Sequence, residues 1–377
     1  MKKKKVLFTA TVVKTHLMQF HIPYLKMFQD MGWETAVASR NDYEDPADCR
    51  IPYCDAYYDV PFERLPWKKQ NITAYRMLKT IIDEGDYDII HCHTPVGAML
   101  TRLAARSARK KGTKVIYTAH GFHFFKGASV VNWLAFYPAE WLLAPLTDVL
   151  VTINKEDYAL AKGKLRCKRI EYVPGVGVDT KAFQKPLDRQ AKRQELGFRE
   201  DDFLMLTVAE MTANKNHLTV LKAMAQLKDQ SCYEKLHYLI VGRGEMWASL
   251  EQSAAELGIS DHVHFLGYRN DAAEFYRCCD LFVFVSFREG LSVAMMEAMS
   301  SGMCIVCTKI RGNTDLINDG VSGLFTENTP EALAKHIQAL VADPEYRETL
   351  GRGALEKAKL FDEEAVHRQM KEIYLSL

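Results

Sequence analysis

The run Leu281-Phe-Val-Phe-Val-Ser286, continued by Phe-Arg-Glu289-Gly290 and then Leu-Ser-Val-Ala-Met-Met-Glu297-Ala-Met-Ser-Ser-Gly302, reads as strand, loop and helix. Its residues before Ser286 are all apolar, and after Leu281 all aromatic or β-branched, as in a strand buried on both faces. Ser292 stands where a helix N-cap belongs, ahead of a helix-forming stretch. A strand ending at Ser286 delivers Glu289 beside its C-terminal edge. A helix begun at Ser292 carries Glu297 about one and a half turns in. The two carboxylates, eight positions apart, then point into one crevice. A carboxylate there accepts hydrogen bonds from two neighbouring hydroxyls at once, as a ribose or a hexose offers.

The same strand–loop–helix alternation runs outward through the chain. Strand-like runs fall at Val6–Thr11, Glu34–Ser39, Asp88–His93, Lys114–His120, Asp148–Asn154 and Arg169–Pro174, then at Phe203–Ala209, Leu236–Gly242, Val263–Gly267, Leu281–Ser286 and Cys304–Lys309. Amphipathic segments of helical length separate them. Such alternation predicts parallel sheets covered on both faces. Two sets predict an α/β chain of two Rossmann-like domains: residues 1–181, residues 182–361, and a final helix over 362–377 that packs back on the first domain. Ligands of open parallel sheets bind at the carboxyl ends of the strands. Those ends offer His16, His21, His93, His120 and Asn154 in the first domain, and Glu210 to Lys215, Gly242, Arg269, Glu289 and Arg311 to Thr314 in the second. Two such sheets facing each other predict a deep cleft.

Bulk properties narrow the function. A net charge of +1 argues against a nucleic-acid partner, although residues 1–180 sum to +7 and residues 181–377 to −6. The nine cysteines show no disulfide framework, which predicts a reducing cytoplasm. Cys304-Ile-Val-Cys307 lies inside an apolar strand-like run and reads as buried strand, not as a metal or redox motif. The lysines at the start precede a short apolar run that reads as a first strand, not a signal peptide. No Gly-x-Gly-x-x-Gly follows it, which argues against a dinucleotide-dependent dehydrogenase.

Ser286-x-x-Glu289-Gly290 with Glu297-Ala-Met and Gly302, then Gly312 and Asp319-Gly-x-x-Gly323-Leu-Phe325, resembles the retaining glycosyltransferases of family 4. Tyr172-Val-Pro-Gly-Val-Gly-Val-Asp179, Asp88-Ile-Ile-His-Cys-His93 and Thr118-Ala-His-Gly121 are similar to further segments of that family. Thr15-His-x4-Phe20-His21-x-Pro23-Tyr24-Leu25 and His120-Gly-Phe-His-Phe-Phe-Lys-Gly127 resemble its enzymes of bacterial capsule and exopolysaccharide assembly. The resemblance implies the GT-B architecture and transfer of a sugar from a nucleotide, with UDP favoured, onto a lipid-linked saccharide with retention. A nucleotide-sugar epimerase, which can share the fold, is the alternative.

By this resemblance Glu297 would hold the donor ribose, Glu289 the hydroxyls of the transferred sugar, and Lys215 the diphosphate leaving group. The backbone of Gly290, Leu291 and Ser292 would line the same pocket. Gly312, Asn313 and Thr314 would meet phosphate oxygens at a helix N-terminus, with Arg311 beside them. Glu210 stands where relatives often carry an arginine, and Arg269 and Gly242 would lie near the nucleotide. His120 would bond the donor sugar or its phosphate, with His16 and His21 on the acceptor side, whereas His93 and His123 read as structural.

Asp86-Tyr-Asp88 spells a metal-binding D-x-D but precedes a strand, at the end away from the ligand crevice, so it reads as a turn and transfer is expected to need no metal. From Ile89 through Ala139 there is no Asp or Glu, while Arg102, Arg106, Arg109, Lys110, Lys111, Lys114 and Lys126 accumulate near Phe122, Phe124, Phe125, Trp133, Phe136 and Tyr137. That pattern predicts contact with an anionic membrane surface and a peripheral position on the cytoplasmic face of the plasma membrane.

Overall fold

A computed structural model describes residues 3–377. Continuous apolar runs become two parallel sheets, in two units. Unit 1 comprises the chain up to Val176 together with His367–Leu377, and unit 2 comprises Gly177–Val366. The division thus falls just ahead of residue 181.

Unit 1 holds β1 (Lys5–Val12), β2 (Glu34–Arg40), β3 (Ala56–Asp59), β4 (Ile89–His93), β5 (Lys114–Ala119), β6 (Val149–Thr152) and β7 (Ile170–Tyr172), in the order β3-β2-β1-β4-β5-β6-β7. Unit 2 holds β8 (Phe203–Val208), β9 (Leu236–Val241), β10 (Val263–Gly267), β11 (Leu281–Phe284), β12 (Cys304–Thr308) and β13 (Leu324–Thr326), in the order β10-β9-β8-β11-β12-β13. All the pairings are parallel. The strands β3 and β13 were not expected. Both are short edge strands, mostly half-buried, so neither carries the apolar run that marks an inner strand.

The strand order reverses between β1 and β4 in unit 1 and between β8 and β11 in unit 2. Loops leaving adjacent strands in opposite directions open a crevice at such a point. The first is fixed by an uncommon backbone. Thr94, directly after β4, has φ +63, and its hydroxyl lies 2.6 Å from that of Thr11 and accepts from Thr11 N–H at 3.1 Å.

The C-terminal segment supplies unit 1 with Tyr374, whose hydroxyl meets His91 Nδ1 at 2.6 Å, and with Gln369, which donates to the Tyr172 carbonyl at 2.6 Å. The basic residues of the acid-free stretch are rearranged relative to expectation. Arg102 is fully buried, paired with Glu140 at 2.7 and 3.0 Å, with its guanidinium 4.3 Å from the centre of the Tyr117 ring. Arg109 grips Asp148 at 3.0 and 3.1 Å. Phe122 and Phe124 are buried, while Trp133, Phe136 and Tyr137 pack against the core. The helix Val130–Leu143, capped by Ser129, instead exposes Val130, Val131, Leu134, Trp141 and Leu142. Among the described residues, no helix is long and apolar enough to cross a membrane.

Candidate active site

At the switch point of unit 2, the loops after β8 and β11 are stitched together. Phe287 N–H donates to the Asn214 carbonyl at 2.9 Å, and the Asn214 side chain donates to the Arg288 carbonyl at 2.9 Å. This brings Lys215 Nζ to 2.7 Å from Glu289 Oε1, with both side chains mostly shielded. The ammonium also sits 4.8 Å from the centre of the Phe284 ring. The lysine and the first glutamate are therefore one ion pair.

Ser292 caps the helix Val293–Ser300 by accepting from Met295 N–H at 3.3 Å, which places Glu297 as its spacing predicts. Glu297 Oε2 accepts from the Tyr276 hydroxyl at 2.8 Å. Burial pushes the Glu297 carboxyl above its ordinary range, and the tyrosine bond opposes that shift.

Glycines let these loops approach. Gly312 has φ +81, and a Cβ there would fall 2.1 Å from the Gly290 carbonyl oxygen. Gly242 has φ +148, and a Cβ there would fall 2.0 Å from the Ala209 oxygen. Arg311 Nε donates to the Glu289 carbonyl at 3.2 Å, so the β12 loop supports the carboxylate's backbone. Asn313 donates to the Thr308 carbonyl at 3.0 Å, while its buried Oδ1 has no hydrogen-bond partner.

Several expectations change here. The helix after Gly312 is only Asn313–Leu316, too short for an appreciable macrodipole, and Thr314 N–H is already spent on the Ile310 carbonyl. Arg269 is engaged with Asp271 at 2.6 Å. Glu210 is exposed, and its carbonyl accepts from His217 Nε2 at 3.2 Å. A separate cavity of about 560 Å³ near Arg189, Arg193 and Asp280 lies at the opposite ends of β8 and β11. Arg189 and Arg193 are consumed there by Asp280, and Arg347 donates to the Leu340 carbonyl, so it is not the site.

Unit 1 carries His16 and His21 after β1, His93 at the end of β4 and His120 after β5. His21, expected toward the acceptor, is fully buried, with its ring stacked on His93 at 3.7 Å. His16 lines an apolar cavity of about 580 Å³ with Trp67, Met99, Phe136 and Leu143.

The comparisons agree with this architecture. A model of the group 1 glycosyl transferases matches residues 188–357, and one of the 4-like glycosyl transferases matches residues 5–152. The putative glycosyltransferase EpsD of Bacillus subtilis (strain 168) is 42% identical over 375 residues, covering 98% of this chain and 96% of the relative. The chain belongs to glycosyltransferase family 4. This glycosyltransferase is also 28% identical over 263 residues to an Escherichia coli enzyme named UDP-Gal:alpha-D-GlcNAc-diphosphoundecaprenol alpha-1,3-galactosyltransferase, covering 69% of this chain and 66% of that one. Among solved structures, Anabaena HepE in complex with UDP-glucose is similar with a TM-score of 0.80, at 21% identity, over 99% of this chain and 100% of that one. WaaG, a glycosyltransferase of lipopolysaccharide biosynthesis, is similar with a TM-score of 0.77, at 17% identity, over 98% of this chain and 99% of that one. The glycosyltransferase therefore has the GT-B fold.

Proposed function

We propose that this glycosyltransferase moves a hexosyl or N-acetylhexosaminyl group, with retention, from a UDP-sugar onto a lipid-linked saccharide in cell-surface polysaccharide assembly. The observation that carries the reading is the Lys215–Glu289 pair at the β8/β11 switch point, with Glu297 on the helix that follows. In this reading Glu297 accepts the ribose hydroxyls. Two charge-assisted bonds of about 1.5–3 kcal/mol each make that contact worth on the order of a hundred-fold or more in affinity. Lys215 exchanges Glu289 for the diphosphate, where a fixed cation stabilises the charge that develops as the bond to the sugar breaks. Glu289, released from the lysine, accepts from the sugar hydroxyls. The acceptor attacks on the face that the nucleotide leaves, and the departing phosphate takes the acceptor proton. No metal takes part in this step. For unit 1, the family resemblance assigns His120 to the donor sugar or its phosphate and His16 to the acceptor.

Relatives named for diphosphoundecaprenol acceptors support a lipid-linked acceptor. The exposed apolar face of the helix Val130–Leu143, together with exposed Arg106, Lys110, Lys111 and Lys126, supports attachment to an anionic cytoplasmic membrane face. The test is a thermal-shift panel of UDP, GDP and their sugar conjugates, followed by incubation of the labelled conjugates with and without an undecaprenyl-diphosphate saccharide. The expected result is stabilisation by UDP, acceptor-dependent transfer, and the donor's anomeric configuration in the product. No shift with any nucleotide overturns the donor reading. An epimerised UDP-sugar formed without acceptor assigns epimerase activity instead.

A further inference from the structure

The four histidines of unit 1 converge from three segments. His16 and His21 follow β1, His93 closes β4 and His120 follows β5, and these strands are neighbours in the sheet. One ring nitrogen from each lies within 4.8 Å of one from every other. Hydrogen bonding accounts for only part of the cluster. His217 of unit 2 shows how a buried histidine is satisfied in this protein: Nδ1 meets the Tyr238 hydroxyl at 3.0 Å and Nε2 meets the Glu210 carbonyl at 3.2 Å. In the cluster, by contrast, nitrogen meets nitrogen. His16 Nε2 lies 3.3 Å from His21 Nε2, and His93 Nδ1 lies 3.4 Å from His120 Nε2. His21 Nδ1 and His93 Nε2 are buried without any hydrogen-bond partner. A neutral imidazole keeps a lone pair for a ligand.

The spacing matches a metal better than a proton. Four nitrogens around zinc at 2.0–2.1 Å stand about 3.3–3.4 Å apart along each edge of the tetrahedron. Two of the six edges, His16–His21 and His93–His120, already have that length. A void of about 20 Å³, room for roughly one water or ion, touches His21, His91, His93 and His120, while His16 lies off it, on the apolar cavity. We propose that His16, His21, His93 and His120 bind one divalent transition-metal ion, with Zn²⁺ as its occupant.

An all-imidazole set without thiolate or carboxylate suits zinc, copper or nickel, and not magnesium or calcium. Binding would require the rings to rotate about their side-chain bonds, closing separations of up to 4.8 Å and unstacking His21 from His93. The ion would tie together the carboxyl ends of three adjacent strands, and it stands apart from the D-x-D segment. If Nε2 of His120 is the ligand, Nδ1–H stays free to donate to substrate, so the site is compatible with the donor reading and does not depend on it.

The test uses the full chain without an affinity tag, stripped with chelator and titrated with Co²⁺ and then Zn²⁺. The expected result is about one equivalent of Co²⁺, giving the visible bands of a tetrahedral nitrogen-ligated ion without thiolate charge transfer. Zn²⁺ should displace it. His16→Gln and His120→Gln, both at half-buried positions, should weaken uptake on the order of a hundred-fold or more, while His123→Gln leaves it unchanged. Circular dichroism confirms that each variant is folded. Failure of the wild-type chain to take up either ion saturably overturns the proposal, as does uptake that both ligand variants leave intact, or a thiolate signature.

Discussion

The two units share one topological device and fill it with opposite chemistry. At the β8/β11 switch point of unit 2, fixed charges converge: Lys215 with Glu289, and Glu297 on the next helix. At the β1/β4 switch point of unit 1 stand four neutral imidazoles, two of them with an unsatisfied nitrogen. The comparison teaches that the fold fixes where a ligand is handled and the loop residues fix what kind. One ammonium and two carboxylates stand ready for polar groups in unit 2, whereas the imidazole rings of unit 1 lie beside an apolar cavity.

The largest expected effect would break this comparison outright. Lys215→Met should lower kcat on the order of a hundred- to a thousand-fold, as expected for losing a group that meets charge in the transition state. Steady-state kinetics with the UDP-sugar identified by the panel would check it, and a loss below about tenfold would remove Lys215 from the chemistry. A smaller effect is expected on stability. Gly312→Ala forces a side chain against the Gly290 carbonyl in a left-handed backbone, and should cost about 1–3 kcal/mol. Denaturant unfolding measures it, and an unchanged midpoint would mean that the two loops separate freely.

The third expectation concerns protons. Burial pushes His217 down to about 4, below its ordinary 6.5. Below that ordinary value the unfolded chain binds a proton that the folded chain refuses. The contribution of His217 is therefore complete above about pH 6.5 and is lost as the pH falls toward about 4, by about 2 kcal/mol on reaching about pH 5. His217→Gln should flatten the dependence of stability on pH between about pH 7 and about pH 5 by that amount. Parallel curves for the two proteins would contradict it. The smallest effect is at the surface of unit 1: Leu134→Asp should weaken binding to anionic vesicles by roughly tenfold and leave nucleotide binding untouched. Vesicle sedimentation at low and high salt reads this out, and equal binding by the variant would exclude that helix face.

The inner strands were legible because they are continuous apolar runs, and Ser292 to Glu297 because a cap and a helical spacing are local. Convergence was not legible. His16, His21, His93 and His120 each stood out at a strand end, yet their meeting depends on β1, β4 and β5 being neighbours, which is a matter of sheet order. The Lys215–Glu289 pair joins residues 74 positions apart for the same reason. Arg102 misled because its partner Glu140 sits one position beyond the acid-free stretch, so a buried ion pair read as part of a basic surface.

That pair has a further consequence. Glu140 belongs to the helix Val130–Leu143, and its bidentate grip on Arg102 fixes the helix at a buried point while Val131 and Leu134 stay in water. The helix cannot roll its apolar face inward without leaving a charge unpaired in the core, a penalty of about 3–5 kcal/mol. Handling should follow from this: in concentrated solution without lipid or detergent, copies of the chain will adhere through that face, and mild detergent will keep them apart.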